Sequence, residues 1–206
     1  MDGYKRINIS DFINSLSDED SKAGTPDLKT LLPAFSCPLN PDIENFYYRK
    51  AYEFDHQSIA KTTLVFASYK EQPVLVGYYT LANKFIVIRK GNISGNTWKR
   101  IRKFGTHNQD NACTISAPLI GQLGKNFRDG YNSLVAGDEL LQMAIDDVKA
   151  SQKIVGGKLV YLECEDKPRL IEFYNRNGFF EFDRRRKDSD EKGVDGNELI
   201  QMIAYL

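Results

Sequence analysis

The sequence is poor in several features that would narrow its function. It has only three cysteines, Cys37, Cys113 and Cys164, which are odd in number and widely spaced. Such a set predicts neither a disulfide framework nor a metal-ligand pattern, so we expect buried thiols and no metal. Lysine and arginine total 28, and aspartate and glutamate also total 28. The resulting net charge of zero predicts no general attraction to nucleic acid or to a membrane surface.

The chain also lacks a continuous apolar run of the roughly 18–20 residues that a membrane helix needs. Its first residues do not have the basic and then apolar pattern of an export signal. We therefore expect a cytoplasmic protein with no membrane partner. Residues 1–33 are polar and irregular, and they predict a flexible N-terminal arm with one short helix around Ile9–Leu16. Residues 34–206 have the length of a single ordinary domain.

Helices and strands alternate in the rest of the sequence. Apolar periodicity predicts helices over residues 42–57, 138–152 and 167–177. Runs rich in valine, tyrosine, threonine and phenylalanine predict strands over residues 62–69, 74–81, 85–89, 113–124, 158–164, 179–184 and 199–206. A charged loop is expected over residues 185–196. This interleaving predicts an α/β or α+β fold with a mixed sheet.

The most informative stretch is the predicted helix over residues 167–177. Asp166 is a candidate N-cap, Pro168 suits the first helical turn, and Gly178 suits a left-handed residue just after the helix. Tyr174 lies on the apolar face of this helix. Taken alone, the pattern indicates a capped surface helix with a half-buried tyrosine.

The segment Phe173-Tyr-Asn-Arg-Asn-Gly-Phe179 resembles the closing motif of the GNAT acetyltransferases. Three upstream segments follow the family's order: residues 115–125 resemble its fourth strand, residues 132–141 its phosphate loop and next helix, and residues 158–164 its fifth strand. The resemblance implies a mixed, mostly antiparallel central sheet flanked by helices. The front half, residues 35–81, is similar to the GNAT branch of bacterial toxin–antitoxin pairs, which acetylates the amino acid on charged tRNA.

The resemblance also implies the site residues and acetyl-CoA as co-substrate. Tyr174 would be the general acid that protonates the coenzyme thiolate. Lys167 replaces the asparagine often found in the family and would reach a phosphate as a point charge. The fourth strand would bind pantetheine in the gap before the fifth strand, through Leu123, Gly124 and Lys125. The loop would bind the pyrophosphate through main-chain N–H groups of Asn132, Ser133, Leu134, Val135, Ala136 and Gly137.

The loop departs from the family pattern of Gln/Arg-x-x-Gly-x-Gly/Ala. Only its last glycine, Gly137, is kept, and Val135 is expected to narrow the loop. Asp138 and Glu139 begin the next helix, and we expect them to face away from the phosphate. Two functions follow. The first is an acetyl-CoA-dependent N-acetyltransferase, and the alternative is a catalytically weakened GNAT-like module that binds or regulates.

The general base and the acceptor are less well defined. Glu163 and Glu165 are plausible bases, whereas His56 and His107 are isolated; an amine of low pKa needs no base. Residues 84–103 carry seven basic residues and no acidic one, around the single tryptophan. This stretch predicts either a solvated loop face or a docking patch for an anionic acceptor. The acceptor would be an amine, tRNA-linked or on a protein, and a homodimer is left open.

Overall fold

The computed structural model describes residues 3–17, 31–187 and 196–206. Within these ranges the helices are α1 (Ile9–Ser17), α2 (Pro41–Arg49), α3 (Ala51–His56), α4 (Gly95–Ile101), α5 (Gly137–Val155) and α6 (Pro168–Arg176). The strands are β1 (Tyr4–Asn8), β2 (Lys61–Tyr69), β3 (Gln72–Arg89), β4 (Thr106–His107), β5 (Ala112–Lys125), β6 (Leu159–Glu165), β7 (Phe180–Arg186) and β8 (Glu198–Tyr205). Short 3₁₀ turns occupy Lys90–Asn92, Arg102–Phe104 and Arg128–Leu134.

The strands follow the hydrogen-bonded order β1-β2-β3-β5-β6-β8-β7, and β4 pairs with β5. The pairs β1–β2, β2–β3, β4–β5, β6–β8 and β7–β8 are antiparallel, and β5–β6 is parallel. The predicted fold class is therefore confirmed as a mixed, mostly antiparallel sheet with helices. None of the helices in the described ranges is long and apolar enough to cross a bilayer.

The chain divides into two compact units, and the first comprises residues 1–81 and 122–144. Its core is aromatic, with Tyr47 and Tyr78 fully buried and their rings 5.2 Å apart. β1 pairs with β2 from Tyr4, opposite Ala67, to Asn8. The expectation of a flexible arm is therefore wrong for residues 4–17, which are held by this ladder and by the burial of Ile9. The expected short helix is confirmed as α1, and residues 18–30 lie outside the described residues.

The second unit comprises residues 82–121 and 145–206. Its core contains Ile88, Ile115, Phe182 and Ile203, and α4 adds Trp98 and Ile101 to the same cluster. α4 begins at the cap Ser94, whose hydroxyl accepts a hydrogen bond from the N–H of Thr97. The helix therefore presents two apolar residues to the core while its basic residues stay outside.

Several element boundaries differ from the predictions. The helix predicted over residues 42–57 is two helices, α2 and α3, separated at Lys50 with φ −122°. No glycine or proline marks this break. The predicted strands 74–81 and 85–89 form one strand, β3, which neighbours β5 in the sheet. The predicted loop 185–196 begins later, since β7 continues to Arg186, and residues 188–195 lie outside the described residues.

Candidate active site

The end of β5 is packed closely against α2. A Cβ atom placed on Gly124 would lie 2.5 Å from Ile43 Cγ2 and 3.3 Å from Phe35 Cζ. A Cβ atom on Gly77 would lie 2.7 Å from the Gly124 carbonyl oxygen. Both glycines are thus required by protein packing. The missing side chain of Gly124 leaves room for Ile43 of α2.

Asn126 holds the chain that leaves β5. Its side chain is fully buried, and its oxygen accepts hydrogen bonds from the N–H groups of Ser36 and Arg128, both at 3.0 Å. Its amide nitrogen donates to the carbonyls of Ala34 and Leu75, both at 2.9 Å. All four hydrogen-bonding positions of the amide are therefore filled by main-chain groups. Sequence reasoning missed this residue, because its partners are up to 92 residues away in the chain.

The segment after Asn126 turns sharply before α5. Asp129 and Gly130 have positive φ values of 52° and 76° within the 3₁₀ segment Arg128–Leu134. The Ser133 hydroxyl donates to the carbonyl of Gly130 at 2.8 Å, so it is engaged locally. Val135 has an extended backbone and is only 2% exposed. Its side chain packs inward, so it does not narrow the loop as we had expected.

The side chain of Glu139, in the first turn of α5, contacts the predicted phosphate loop. Its carboxylate accepts a hydrogen bond of 2.8 Å from the N–H of Ala136, which is the residue before α5. A glutamate in the third helical position that bonds back to the cap N–H forms half of a capping box. The Tyr4 hydroxyl also lies 2.9 Å from this carboxylate and 3.0 Å from the carbonyl of Leu134. The expectation that Glu139 faces away from the loop is therefore wrong.

The tyrosine helix α6 is ended by a Schellman motif. The N–H of Gly178 donates to the Asn175 carbonyl at 3.0 Å, and the N–H of Phe179 donates to the Tyr174 carbonyl at 3.1 Å. Gly178 has φ +86°, the left-handed conformation that glycine adopts without strain. The helix begins at Pro168, one residue later than predicted, and its N-cap is Lys167. Asp166 does not cap it, and its carboxylate instead accepts a hydrogen bond from Arg184 at 2.7 Å.

Tyr174 is fixed by its aromatic neighbours. Its ring centroid lies 5.0 Å from that of Phe173 and 5.9 Å from that of Phe179, and the residue is 9% exposed. Burial, with a smaller contribution from Cys164, raises the pKa of Tyr174 well above its usual range. Within the described ranges, no protein group is hydrogen-bonded to its hydroxyl.

β6 and the residues after it carry the predicted base candidates and Lys167. Glu163 accepts two hydrogen bonds from Arg185, at 2.8 and 2.6 Å, and a third from Gln201 at 2.7 Å. Glu165 is buried and forms an ion pair with Lys167, N to O 2.9 Å. Both carboxylates are thus engaged with positive or donor groups, and the Lys167 ammonium is engaged as well. This arrangement does not favour either glutamate as a free general base.

The basic segment 84–103 is divided between β3, α4 and two 3₁₀ turns. Trp98 is 6% exposed and belongs to the core of its unit, so it cannot serve as a stacking surface. Arg89 pairs with Asp183 at 3.1 Å, and the Arg100 guanidinium lies 4.5 Å from the centre of the Tyr205 ring. The exposed basic residues of α4 and the turn after it are Lys99, Arg100, Arg102 and Lys103.

The remaining candidate groups show no catalytic arrangement in the described ranges. All three cysteines are buried, as predicted. Burial is the main cause that raises the pKa of Cys164 to about 12, and it also raises the pKa of Cys37 and Cys113, so the thiols stay protonated. No group of three or more potential metal ligands occurs in the part of the chain that the structure describes.

Comparison with sequences gives no relative. No protein-family model matches the chain, and no curated protein matches it. Comparison with solved structures does give matches, and they cover nearly all of the chain.

Three of the similar structures contain KacT or AtaT, and AtaT is a toxin. A tyrosine-to-phenylalanine mutant of KacT has a TM-score of 0.57 at 18% identity, covering 96% of this chain and 94% of its own. AtaT complexed with acetyl-methionyl-tRNAfMet has a TM-score of 0.55 at 15% identity, and the match covers 96% of this chain and 93% of AtaT. AtaTR bound with acetyl-CoA has a TM-score of 0.52 at 17% identity, and the match covers 97% of this chain and 93% of the matched chain. The resemblance is confirmed at the level of the fold: this chain has the fold of the GNAT-type acetyltransferase toxins KacT and AtaT.

Proposed function

We propose that this protein is an acetyl-CoA-dependent N-acetyltransferase with Tyr174 as the general acid. The observation that carries the proposal is the state of Tyr174. Its ring packs between Phe173 and Phe179, while its hydroxyl has no hydrogen-bond partner within the described ranges. A phenol held only by packing at such a site has its single proton available for a ligand.

Two further observations support the placement of the coenzyme. The parallel ladder between β5 and β6 covers only two residue pairs, Leu119 with Tyr161 and Ile120 with Leu162. Leu123, Gly124 and Lys125 lie beyond these pairs, where main-chain groups would bind pantetheine as an added strand. Residues 132–137 lead into the N-terminus of α5, a helix of 19 residues, whose first N–H groups favour a bound anion.

The residues would divide the chemistry as follows. Acetyl-CoA supplies an acetyl group activated as a thioester. The main chain of residues 123–125 would hold the thioester carbonyl, and donors there would stabilise negative charge on its oxygen. The Tyr174 hydroxyl would donate its proton to the departing sulfur. The carbon–nitrogen bond to the neutral amine would form as the carbon–sulfur bond breaks, and the proton that the nitrogen loses would replace the one that Tyr174 gives to the sulfur.

The raised pKa of Tyr174 has two consequences. The phenol remains protonated throughout the physiological range, as a proton donor must. It is also a weaker acid than the coenzyme thiol, whose ordinary pKa is about 8.5. Proton transfer therefore depends on the sulfur charge that develops as the carbon–sulfur bond breaks, and on a hydroxyl that is already in position.

The acceptor would be an amine that needs no protein base. Glu163 and Glu165 are both held in ion pairs. An α-amino group has a pKa of about 8, so a useful fraction is already neutral at physiological pH. The exposed basic residues on α4 would bind an anionic carrier of this amine, and we propose a tRNA-linked amino acid. The complex of AtaT, a protein of the same fold, with acetyl-methionyl-tRNAfMet supports this choice.

Two measurements on the unaltered protein test the proposal. Calorimetry with acetyl-CoA should show binding at one site per chain. Transfer of a labelled acetyl group should then occur to aminoacylated tRNA and not to the same tRNA without its amino acid. If the protein binds acetyl-CoA but acetylates only a protein or a small amine, the proposed acetyltransferase activity stands and the proposed tRNA-linked acceptor is wrong.

A second function is favoured by the two groups that occupy the expected phosphate contacts. The Ala136 N–H is bonded to Glu139, and the Lys167 ammonium is paired with Glu165. A GNAT-like module with little catalysis, serving binding or regulation, would have such a filled loop. This function would be favoured if calorimetry with millimolar acetyl-CoA gave no heat of binding, either in the unaltered protein or in loop variants.

A further inference from the structure

The contact between β1 and the start of α5 concerns the coenzyme loop directly. Tyr4 extends its hydroxyl to two acceptors, the Glu139 carboxylate at 2.9 Å and the Leu134 carbonyl at 3.0 Å. The same Glu139 oxygen accepts the hydrogen bond from the Ala136 N–H at 2.8 Å. One carboxylate oxygen therefore joins the edge strand of the sheet to the loop expected to bind pyrophosphate.

Tyr4 is well placed to fix this carboxylate. Its backbone is held opposite Ala67 by the β1–β2 ladder, and Arg6 on the same strand donates to the Met143 carbonyl of α5 at 3.3 Å. Partial burial, followed by the hydrogen bond and charge of Glu139, raises the pKa of Tyr4, so the phenol remains a neutral donor. The Glu139 side chain thus has one partner on each side, the loop N–H and the phenol.

The carboxylate and a pyrophosphate have the same requirements. Both are anions that accept hydrogen bonds from main-chain N–H groups at the N-terminus of a helix. They cannot accept from the Ala136 N–H at the same time. A fixed negative charge at the loop also repels a second one, and repulsion between partly buried groups is weakly screened by salt.

We propose that Glu139, held by Tyr4, is a built-in competitor for the coenzyme pyrophosphate, so that coenzyme binding must displace it from the Ala136 N–H. This inference rests on the proposed function, because it requires residues 132–137 to be the pyrophosphate site. The displaced side chain would also lose its hydrogen bond with Tyr4. Coenzyme binding would thereby weaken the attachment of β1 to the start of α5.

The test is the affinity for coenzyme A, measured by calorimetry, in the unaltered protein and in Glu139→Gln, Glu139→Ala and Tyr4→Phe. Glutamine removes the charge but can keep the cap, and alanine removes both. We expect about tenfold tighter binding for Glu139→Ala, less for Glu139→Gln and about threefold for Tyr4→Phe. Asp138→Asn is the matched control, because it changes the charge at the neighbouring position of the same helical turn.

Pantetheine, which has no pyrophosphate, is the second probe. Its affinity should be the same in the unaltered protein and in both Glu139 variants. Hydrogen exchange of the β1 amides provides a readout independent of affinity, and saturating coenzyme A should speed exchange at residues 4–8 in the unaltered protein. Glu139→Ala alters this contact before any ligand is added, so its β1 exchange should not respond further.

The outcomes separate the inference from the function on which it rests. Equal coenzyme A affinity in the unaltered protein and both Glu139 variants would overturn the competitor role and leave the acetyltransferase standing. An equal gain in coenzyme A affinity from Asp138→Asn would show that any lost negative charge in this helical turn has the same effect. That result would also overturn the competitor role of Glu139. Failure of every variant, including Glu139→Ala, to bind coenzyme A would overturn both the inference and the proposed site.

Discussion

The tyrosine helix α6 and the loop 132–137 are both required by the proposed chemistry, but they are built differently. α6 is defined almost entirely by nearby residues: Pro168 begins it, Gly178 ends it, and Phe173 and Phe179 enclose Tyr174. The loop is held by distant parts of the chain. Tyr4 reaches it from a position 130 residues away, and Glu139 fills one of its donors.

The difference shows which parts of a motif can be recognised from a single sequence. A capped helix leaves its signals within about a dozen residues, because caps and turns are local. A loop that binds an anion needs main-chain N–H groups, which every residue except proline has. Its real constraint is what else occupies those groups, and this depends on contacts from elsewhere in the fold.

The largest effect on turnover is expected in α6, the element defined by nearby residues. Tyr174→Phe removes the proton donor but keeps the buried ring, so turnover should fall about 100- to 10,000-fold while coenzyme affinity is nearly unchanged. Steady-state rates with calorimetry measure both quantities. In the unaltered protein, the raised pKa of Tyr174 also predicts no loss of rate as pH passes the ordinary range of tyrosine. An undiminished rate in the variant would leave Tyr174 as a packing residue.

The next effect concerns the loop. Gly137→Trp places a bulky side chain at the first residue of α5, so coenzyme affinity should fall at least about a hundredfold through lost charged hydrogen bonds. Gly91→Trp is the matched control, because a Cβ atom there has nothing within 4 Å. Thermal unfolding should show that both variants remain folded. Unchanged affinity in Gly137→Trp would remove residues 132–137 from the site.

A variant of Asn126 tests whether the loop depends on tertiary contacts. Asn126→Ala leaves four main-chain groups without their buried partner, so the free energy of unfolding should fall by about 2–4 kcal/mol. Urea denaturation measures this loss. Asn132→Ala, on a half-buried loop residue, is the control and should change stability by less than about 0.5 kcal/mol. Equal losses in the two variants would contradict the role given to Asn126.

The smallest effect concerns the acceptor. Replacing Lys99, Arg100, Arg102 and Lys103 with serine should raise the KM for aminoacylated tRNA about tenfold and flatten its salt dependence. Coenzyme affinity should stay the same. The control makes the same change of charge at four exposed lysines outside the segment, Lys5, Lys149, Lys153 and Lys158. If both sets of changes have the same effect, the segment is not a specific docking surface.

Much of the fold could be predicted from the sequence, because its elements carry local signals. The strands β2, β5, β6, β7 and β8 and the helices α1, α5 and α6 lie within a few residues of their predicted positions. The strand β1 was missed, since five mixed residues acquire their ladder only from β2. The break at Lys50 was missed because no local breaker marks it.

The candidate site was predicted less completely. The basic segment was recognised by charge, but its tryptophan was not recognised as a core residue, because burial of Trp98 requires the sheet that it packs against. The base candidates Glu163 and Glu165 were chosen for their position beside β6, but their ion partners Arg185 and Lys167 were not predicted. The division into one domain, the site residues and the homodimer remain predictions.

The sequence by itself determined the elements with strong local signals, the glycine that ends the helix carrying Tyr174, and the burial of the cysteines. These follow from local periodicity, from the conformational preferences of proline and glycine, and from residue hydrophobicity. Only the tertiary structure decided that Gly124 makes room for Ile43, that Asn126 fastens the chain after β5, and that Glu139 occupies the loop. Each depends on groups brought together by folding, since hydrogen bonds and close packing act over a few ångströms of space regardless of separation along the chain.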